Sequence, residues 1–412
     1  MSRIDELIAE RCPLGVRFET LGDIGHTVTG LSGKAKADFS GGNARFVSYM
    51  NAFTNLAVDQ EAPNFVVVSP NERQNLLHMG DVVFTGSSES LEEVGMSSAV
   101  VAEPVNPLYL NSFCFALRFE DTTRILASFS KYLFRSESIR KQIRATASGV
   151  TRINIAKARF LRIRIPVPPL EVQREIVQIL DQFTELEAEL EAELEARRRQ
   201  YEHYRSSLLE AVSADIEWAT LGSISTRVST GATPKAGAPE FYNGGTIPWL
   251  RTGEVIFGEI WETQMKITDR ALKETGTSWI AENCVIVAIS GATAGRSAIN
   301  KIALTTNQHC CNLQIDESRA DYRYVFFWVS SKYDELKALG RGARGDLNSR
   351  LIRDFQIPIP PLEEQRRIVT LLDSFDALVN DVSIGLPAEL AARRKQYEYY
   401  RDRLLTFEEL KI

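Results

Sequence analysis

Apolar residues recur at coiled-coil spacing in two stretches of the chain. The first seam runs through Ile176, Phe183, Leu190, Arg197 and Tyr204, interleaved with Leu180, Glu187, Leu194, Tyr201 and Leu208. Eight of those ten positions are apolar or aromatic, which predicts a long helix pressed against a partner rather than a solvated one. The second seam runs through Ile368, Leu372, Phe375, Val379 and Val382. It resumes four residues out of step at Leu386, Leu390, Arg393, Tyr397, Tyr400 and Leu404. A four-residue insertion is a stutter that locally unwinds such a seam, and Gly385 and Pro387 beside it predict a kink near 385–387. Proline is tolerated only in a helix's first turn, so Pro168-Pro169 and Pro360-Pro361 mark where the two helices begin. Forty residues of helix would reach about 60 Å.

The seams belong to a larger duplication. IPVPPLEVQREIVQILDQF opens at Ile165 and IPIPPLEEQRRIVTLLDSF at Ile357; ARRRQYEHYRSSLL opens at Ala196 and ARRKQYEYYRDRLL at Ala392. A repeat of roughly 195 residues means two half-proteins in tandem. Between the helical blocks lie segments of short β-type runs and turns. In the first, NFVVVS, DVVFTG and SFCFALRF read as strands, GLSGKAKADFSGG as a loop, ARFVSYMN as a polar-aromatic strand, and residues 122–147 as one basic helix. The second repeats the plan with other residues: GATPKAGAPEFYNGGTIPWLRTGEV, CVIVAISGATAGRSAI, CCNLQI and YVFFWVSSKYDELKALG. Residues 2–11 suggest a short helix, and FETLGDI after it matches WATLGSI at Trp218, so the start of the chain takes the place that the end of the first long helix takes before the second module. Such an arrangement is pseudo-circular, with the two termini meeting. The expected class is α+β: two mixed α/β modules in tandem, separated by two long helices packed as an antiparallel coiled coil about a pseudo-twofold. The divisions fall at 1–164 (with the short helix), 165–211, 212–356 and 357–412.

Composition adds modest bounds. The chain has 412 residues, 44% hydrophobic and 25% charged, enough for several cores. Its apolar runs are short of a membrane span, and Arg3, Asp5 and Glu6 interrupt any leader-like start, so a cytoplasmic protein is expected. Five cysteines without a Cys-x-x-Cys pair suit a reducing compartment, with Cys310-Cys311 read as strand residues. The net charge of −6 is uneven: ELEAELEAELEA concentrates acid on the first helix, whereas residues 118–164 carry twelve basic and three acidic side chains. The helices therefore look like solvated rods and the modules like anion binders.

Catalytic chemistry is missing from the pattern. Asn106-Pro107-Leu108-Tyr109 approaches the Asn-Pro-Pro-Tyr motif of amino-methyltransferases, but the third residue is wrong and no cofactor loop accompanies it; it reads as a turn. GATAGR from Gly291 lacks the Gly-Lys-Ser/Thr of a phosphate loop and reads as a hairpin loop. His26, His78, His203 and His309 have no metal-ligand spacing, so no metal site is expected. What remains are polar loop sets suited to DNA, since Lys and Arg bind phosphates and Arg, Asn and Gln make bidentate contacts to bases. In the first module these are Lys34, Lys36, Arg45, Tyr49, Asn51, Asn55, Ser87 and Ser88, with Arg152 and Asn154 near its end. In the second they are Lys235, Asn243, Arg251, Arg296, Asn307, Gln308 and His309, with Arg341, Arg344 and Asn348.

The doubled Ile-Pro-x-Pro-Pro-Leu-Glu-x-Gln-Arg motif, the doubled Ala-Arg-Arg-x-Gln-Tyr-Glu-x-Tyr-Arg block, CPLGVRFETLGDI, GLSGKAKADFSGGNARFVSYMNAFTN and YNGGTIPWLRTGEV resemble the specificity subunit of a type I restriction–modification system, over essentially the whole chain. That resemblance implies two target-recognition domains, each reading one half of a bipartite double-stranded DNA site, held apart by conserved helices. It implies a chain with no catalytic residues and no cofactor of its own. Two modification subunits carrying S-adenosylmethionine would dock on the helices and methylate adenine N6, and restriction subunits would add ATP- and Mg²⁺-dependent translocation and cleavage. Arg197–Arg199 and Arg393–Lys395 are the expected docking positions, though the shorter acidic run of the first helix makes the two docking surfaces unequal. The alternatives are a coiled-coil scaffold without DNA binding and a self-sufficient methyltransferase or nuclease.

Overall fold

A computed structural model describes residues 3–210, 216–340, 346–380 and 385–410. The chain forms two compact units, Met1–Glu191 with Glu389–Ile412, and Ala192–Ala388. A helix of 41 residues, Leu170–Glu210, begins directly after Pro168-Pro169, as the prolines require. Its counterpart is two helices, Leu362–Asn380 and Leu386–Leu404, the latter with Pro387 in its first turn. The stutter itself, with Val382, lies at 381–384, outside the described residues.

In the first unit a four-stranded antiparallel sheet runs in the order Gly25–Thr29, Cys114–Phe119, Val82–Thr85, Ser97–Ala99. A second sheet places Ala44–Val47 between Phe65–Val66 and Leu108–Leu110, and a third places Ile153–Ile155 between Ala147–Ser148 and Ser87–Ser88. DVVFTG and SFCFALRF supply buried strands as expected, whereas NFVVVS is strand only at Phe65–Val66 and leaves Phe65 and Val67 exposed; Phe84 packs on Phe115, Phe134 and Phe160 at 5.4, 5.2 and 4.9 Å. Two expectations change. The segment ARFVSYMN is a strand only to Val47, because Ser48 caps a short helix, Tyr49–Thr54, its hydroxyl accepting from the Asn51 N–H. The basic helix of 122–147 is two helices, Ala127–Leu133 and Glu137–Ala145, broken where the buried Ser136 hydroxyl donates to the Leu133 carbonyl.

The second unit repeats the plan. Its main sheet runs Ser225–Thr230, Cys310–Ile315, Val285–Ala288, Ser297–Asn300, with Glu259–Ile260 added in parallel at the edge. Ile247–Leu250 again pairs in parallel with the strand before the cysteine strand, Leu304–Thr306. The helices Tyr322–Ser331 and Tyr333–Ala338 cover the sheet.

Each unit joins its module to its helices by the same device. Gln173 and Gln365, both fully buried, are the glutamines of the doubled proline motif. Gln173 accepts from the Leu126 N–H at 2.9 Å and donates to the Pro168 and Arg124 carbonyls at 2.8 Å each. Gln365 accepts from the Asp321 N–H at 2.8 Å and donates to the Pro360 and Arg319 carbonyls at 2.8 and 3.3 Å. Leu126 and Asp321 are the residues at which the module's own helix starts, so one amide ties two helix N-termini together. An ion pair backs it: Lys131 to Asp181 in one unit and Arg323 to Asp373 in the other, each at 2.6 Å.

The seams divide their work. Ile176 and Leu180 belong, with Val172, to the first module's buried core, the cluster that also holds Phe129 and Tyr132, so they bind the helix to its module. Further along, Phe183 stacks on Tyr400 at 5.4 Å in the first unit, and Phe375 stacks on Tyr204 at 5.5 Å in the second. The first block of one copy thus meets the second block of the other. In the first unit Glu187 pairs with Arg394 at 2.6 Å and Arg394 also reaches Glu191, an antiparallel register with Phe183 opposite Tyr400. Leu194, Tyr201, Ile368, Leu372, Val379 and Leu390 are buried; Leu190, Leu208, Tyr397 and Leu404 are half-buried. The chain's outer segments also meet in the first unit: the Val16 N–H donates to the Glu408 carbonyl and the Leu410 N–H to the Val16 carbonyl, each at 2.8 Å.

Candidate nucleic-acid interface

In the first module four of the predicted positions come together. Strand pairing sets Asn154 opposite Ser87 and Ile153 opposite Ser88, so the Thr151–Asn154 stretch and the serine pair share one small sheet. Above it stands Phe113, half exposed on a turn fixed by Asn111, whose side chain accepts the Phe113 N–H at 2.8 Å. The Arg152 guanidinium lies over that ring at 4.9 Å and its Nε donates to the Ser87 hydroxyl at 3.3 Å. Ser87, Phe113, Arg152, Asn154 and Lys157 line one concavity of 400 Å³; Tyr49 joins Ser88, Phe113 and Arg152 on an adjoining one of 580 Å³. A cationic fork over an aromatic ring, hydroxyls beside it, the Asn154 amide (one proton of which is donated to the Arg152 carbonyl at 3.1 Å) and an exposed lysine at the rim form a surface able to hydrogen-bond a base edge and hold a phosphate. Sequence reasoning missed Phe113 and Lys157. The signal available was an aromatic directly before the cysteine strand in SFCFALRF, two residues after a turn-capping asparagine.

The second module has the same turn with other chemistry. Asn307 stands where Asn111 does, its side chain accepting the His309 N–H at 3.1 Å, and His309 takes the place of Phe113. Exposed Gln308 contacts the His309 ring at 3.0 Å and accepts from Thr233. Arg296 lies over Phe257 at 6.0 Å with its Nε buried and unpartnered. Lys235 and Asn243 are exposed. Arg341 and Arg344 lie outside the described residues.

Other predicted contacts are spent within the fold. Lys34 is buried against Glu72 at 2.6 Å and also donates to the Val67 carbonyl, which holds the Glu72 carboxyl down to about 2. Asn51 is buried, donating to the Asp59 carbonyl at 2.7 Å and accepting the Asp59 N–H and an Asn55 amide proton at 3.0 Å each. Asn307 caps its turn, and Asn348 caps the helix Ser349–Arg353 by accepting the Leu351 N–H at 3.0 Å. Arg45 pairs with Glu61 at 2.9 Å, and Arg251 with Gln264 at 3.0 Å; Lys36 is exposed. Donors and acceptors engaged inside the protein are no longer available to a base.

Part of the basic run of 118–164 is likewise engaged within the fold. Arg118 pairs with buried Asp81, Arg124 with Glu19, Arg144 with Glu137 and Glu92, and Arg164 with Glu409. Arg135 and Arg140 are buried on backbone carbonyls, and burial lowers each to about 10. Among the described residues no group of three or more His, Cys, Asp or Glu side chains could hold a metal ion, and no helix is long and apolar enough to cross a membrane.

The family model described as "Type I restriction modification DNA specificity domain" matches residues 13–196 and again 215–392. The chain belongs to that family. Among its relatives in the DNA specificity family, the Escherichia coli "Type I restriction enzyme EcoR124I/EcoR124II specificity subunit" is 36% identical over 257 residues, 60% of this chain and 63% of that one. The Haemophilus influenzae "Putative type I restriction enzyme specificity subunit S.HindORF215P" is 32% identical over 63% of this chain and 68% of its own length. The matched stretch thus spans about two thirds of those relatives. Of solved structures, a chain from "Structural basis underlying complex assembly and conformational transition of the type I R-M system" superposes with a TM-score of 0.66 at 18% identity, covering 95% of this chain and 98% of that one. The "HsdS subunit from Thermoanaerobacter tengcongensis" gives 0.53 at 17% identity, covering 95% and 96%. At such identities the likeness is one of fold. Within the specificity family's doubled domain, the Arg152–Phe113 surface and the Gln308–His309 turn occupy equivalent places after the strands Leu108–Leu110 and Leu304–Thr306.

Proposed function

We propose that this chain is the non-catalytic DNA-specificity component of a type I restriction–modification complex, acting in the cytoplasm. Residues 1–164 and 212–356 each read one half of a bipartite duplex site, and residues 165–211 and 357–412 are the spacer between them. Two modification subunits dock on the helices and methylate adenine N6 with S-adenosylmethionine; restriction subunits add ATP- and Mg²⁺-dependent translocation and cleavage. The chain itself binds no cofactor. The observation that carries this reading is the duplicated family domain, with each copy bolted to a long helix by the same buried glutamine. A reader fixed rigidly to a helix makes the gap between half-sites a matter of geometry, as half-site spacing is in other two-headed DNA readers.

Docking falls to exposed helix positions, among them Arg197 and Arg393, which keep the seam's spacing without being buried. Arg197 and Arg393 sit alike, each near a glutamate one turn back (Glu193, Glu389) at 3.4 Å, and are exposed. Arg394 is excluded from that role by its pairs with Glu187 and Glu191. The test is expression with modification subunits in a host free of other adenine methylation, followed by methylome sequencing. A two-part motif with a constant gap is expected, and purified chain alone transfers no labelled methyl group to DNA. Transfer by the chain alone, or a one-part motif, overturns the reading. Binding of the complex should also weaken steeply with salt.

A further inference from the structure

We propose that Arg152 reads a guanine in the half-site bound by the first module; this rests on the function proposed above. Arg118, Arg124, Arg144 and Arg164 are committed to carboxylates and Arg135 and Arg140 to backbone carbonyls, whereas no carboxylate pairs with Arg152 among the described residues; Arg159 and Arg162 lack one too, but Arg152 alone of the three lines the concavity. It is nonetheless held in place. Its Nε is tied to the Ser87 hydroxyl at 3.3 Å and its guanidinium carbon lies over the Phe113 ring at 4.9 Å. The turn before it closes tightly at Gly149, with φ +132°, where a Cβ would stand 2.1 Å from the Arg152 carbonyl oxygen. Arg152 lines the concavity shared with Asn154 and Lys157, and among the described residues its two N–H₂ groups make no hydrogen bond.

That geometry is the one guanine requires. Its O6 and N7 acceptors are met by the parallel donors of a guanidinium, and the ring contact and the Ser87 bond hold the side chain before DNA arrives, so little side-chain entropy is lost on binding. A phosphate is the competing target, and the wall of the site disfavours it. Glu89 and Glu93 line the adjoining concavity beside Arg152, and like charges repel a backbone phosphate there. Exposed Lys157, over Phe115 at 5.5 Å, is the phosphate contact at the opposite rim. The second module replaces Phe113 with His309, so this stacked pair is peculiar to the first reader.

The experiment compares methylomes of wild-type, Arg152→Ala and Arg152→Lys complexes, with duplex-panel binding for any variant that methylates weakly. A wild-type methylome without a two-part motif sinks the function proposed above rather than the role of Arg152. Given that motif, both variants are expected to lose discrimination at one G·C position of one half-site, by about tenfold or more. The other half-site and the gap stay unchanged. Lysine does not rescue, because a point charge lacks the fork. If all G·C positions stay specified, or binding weakens equally on every duplex, or lysine restores the motif, Arg152 contacts phosphate or only supports Phe113, and the proposal fails. A variant that binds no duplex, with its melting temperature also lowered, assigns Arg152 to the fold and overturns it too.

Discussion

The buried glutamine clamp lends itself to measurement in the second unit, because all five tryptophans (Trp218, Trp249, Trp261, Trp279, Trp328) lie there. Gln365→Leu keeps size and apolar stem but removes one acceptor and two donors. The Asp321 N–H, bonded at 2.8 Å, loses its partner inside a fully buried site, and the Pro360 and Arg319 carbonyls each lose a donor. An unsatisfied buried N–H costs about 1–3 kcal/mol, and carbonyls with a second lone pair cost less. Allowing about 1 kcal/mol returned by the extra apolar surface, the net loss is about 2–3 kcal/mol. Trp328 sits on the helix that Asp321 caps, its ring N–H donating to the Gln356 carbonyl at 3.0 Å, so its emission reports the clamp directly. With a urea slope of about 1–3 kcal/mol per molar, the fluorescence midpoint should fall by about 1 M. Gln365→Glu should be as harmful near neutral pH, because a carboxylate cannot donate to the two carbonyls. A Gln365→Leu loss under about 0.5 kcal/mol would show that the amide is replaceable by water and that apolar contacts alone hold the module to the helix.

Three further outcomes are expected. Burial pushes the Cys114, Cys310 and Cys311 thiols up to about 12 and Cys284 up to about 11, while Cys12 is only half buried, so a disulfide reagent at pH 8 should titrate one thiol quickly and four only after denaturation; two fast thiols refute this. Arg140 bridges the Gly95 and Glu92 carbonyls at 2.5 and 2.8 Å, so Arg140→Met should cost the first unit about 2–4 kcal/mol by circular-dichroism melts, and Arg140→Lys should fail to restore it because one ammonium cannot span both acceptors. The Glu72 carboxyl is lowered to about 2 by Lys34, below its ordinary 4.5; its contribution is full above about pH 4.5 and vanishes as pH falls through 2. Glu72→Gln should therefore flatten the stability profile between those values, and an unchanged acid limb would place the effect elsewhere.

The tandem architecture was legible because its signals are periodic. Paired prolines, a 3.5-residue apolar repeat and two copies of each block depend on spacing, which survives in a single sequence. Boundaries inside the modules were harder, and the failures have local causes. In ARFVSYMN a serine cap outweighed the β propensity of the residues before it, and in 122–147 a buried Ser136 hydroxyl broke a continuous helical pattern. The seam was right as a pattern and incomplete as an assignment. Ile176 and Leu180 obey heptad spacing yet belong to the first module's core, since a stripe of apolar residues states that something covers it and not what.

The candidate site shows a sharper limit. Residue type alone suggested that Lys34, Asn51, Asn307 and Asn348 could read DNA, yet Lys34 and Asn51 are tied up within the fold and Asn307 and Asn348 spend their amide oxygens on caps, whereas the Arg152 guanidinium lines a concavity with no carboxylate partner. What distinguishes Arg152 from Arg118 is a partner distant in sequence: Asp81 neutralises one at 2.6 Å, and Phe113 stacks on the other without neutralising it. The same blindness hid the clamp. Gln173 and Gln365 stood inside the very motif that carried the family resemblance, and polar residues near a helix start ordinarily face water. Their role depends on a carbonyl five residues back at the double proline and an N–H from the module's own helix, neither of which any spacing rule connects. The motif is therefore more than a helix start: the proline pair frees a carbonyl, and the glutamine uses it to lock reader to ruler.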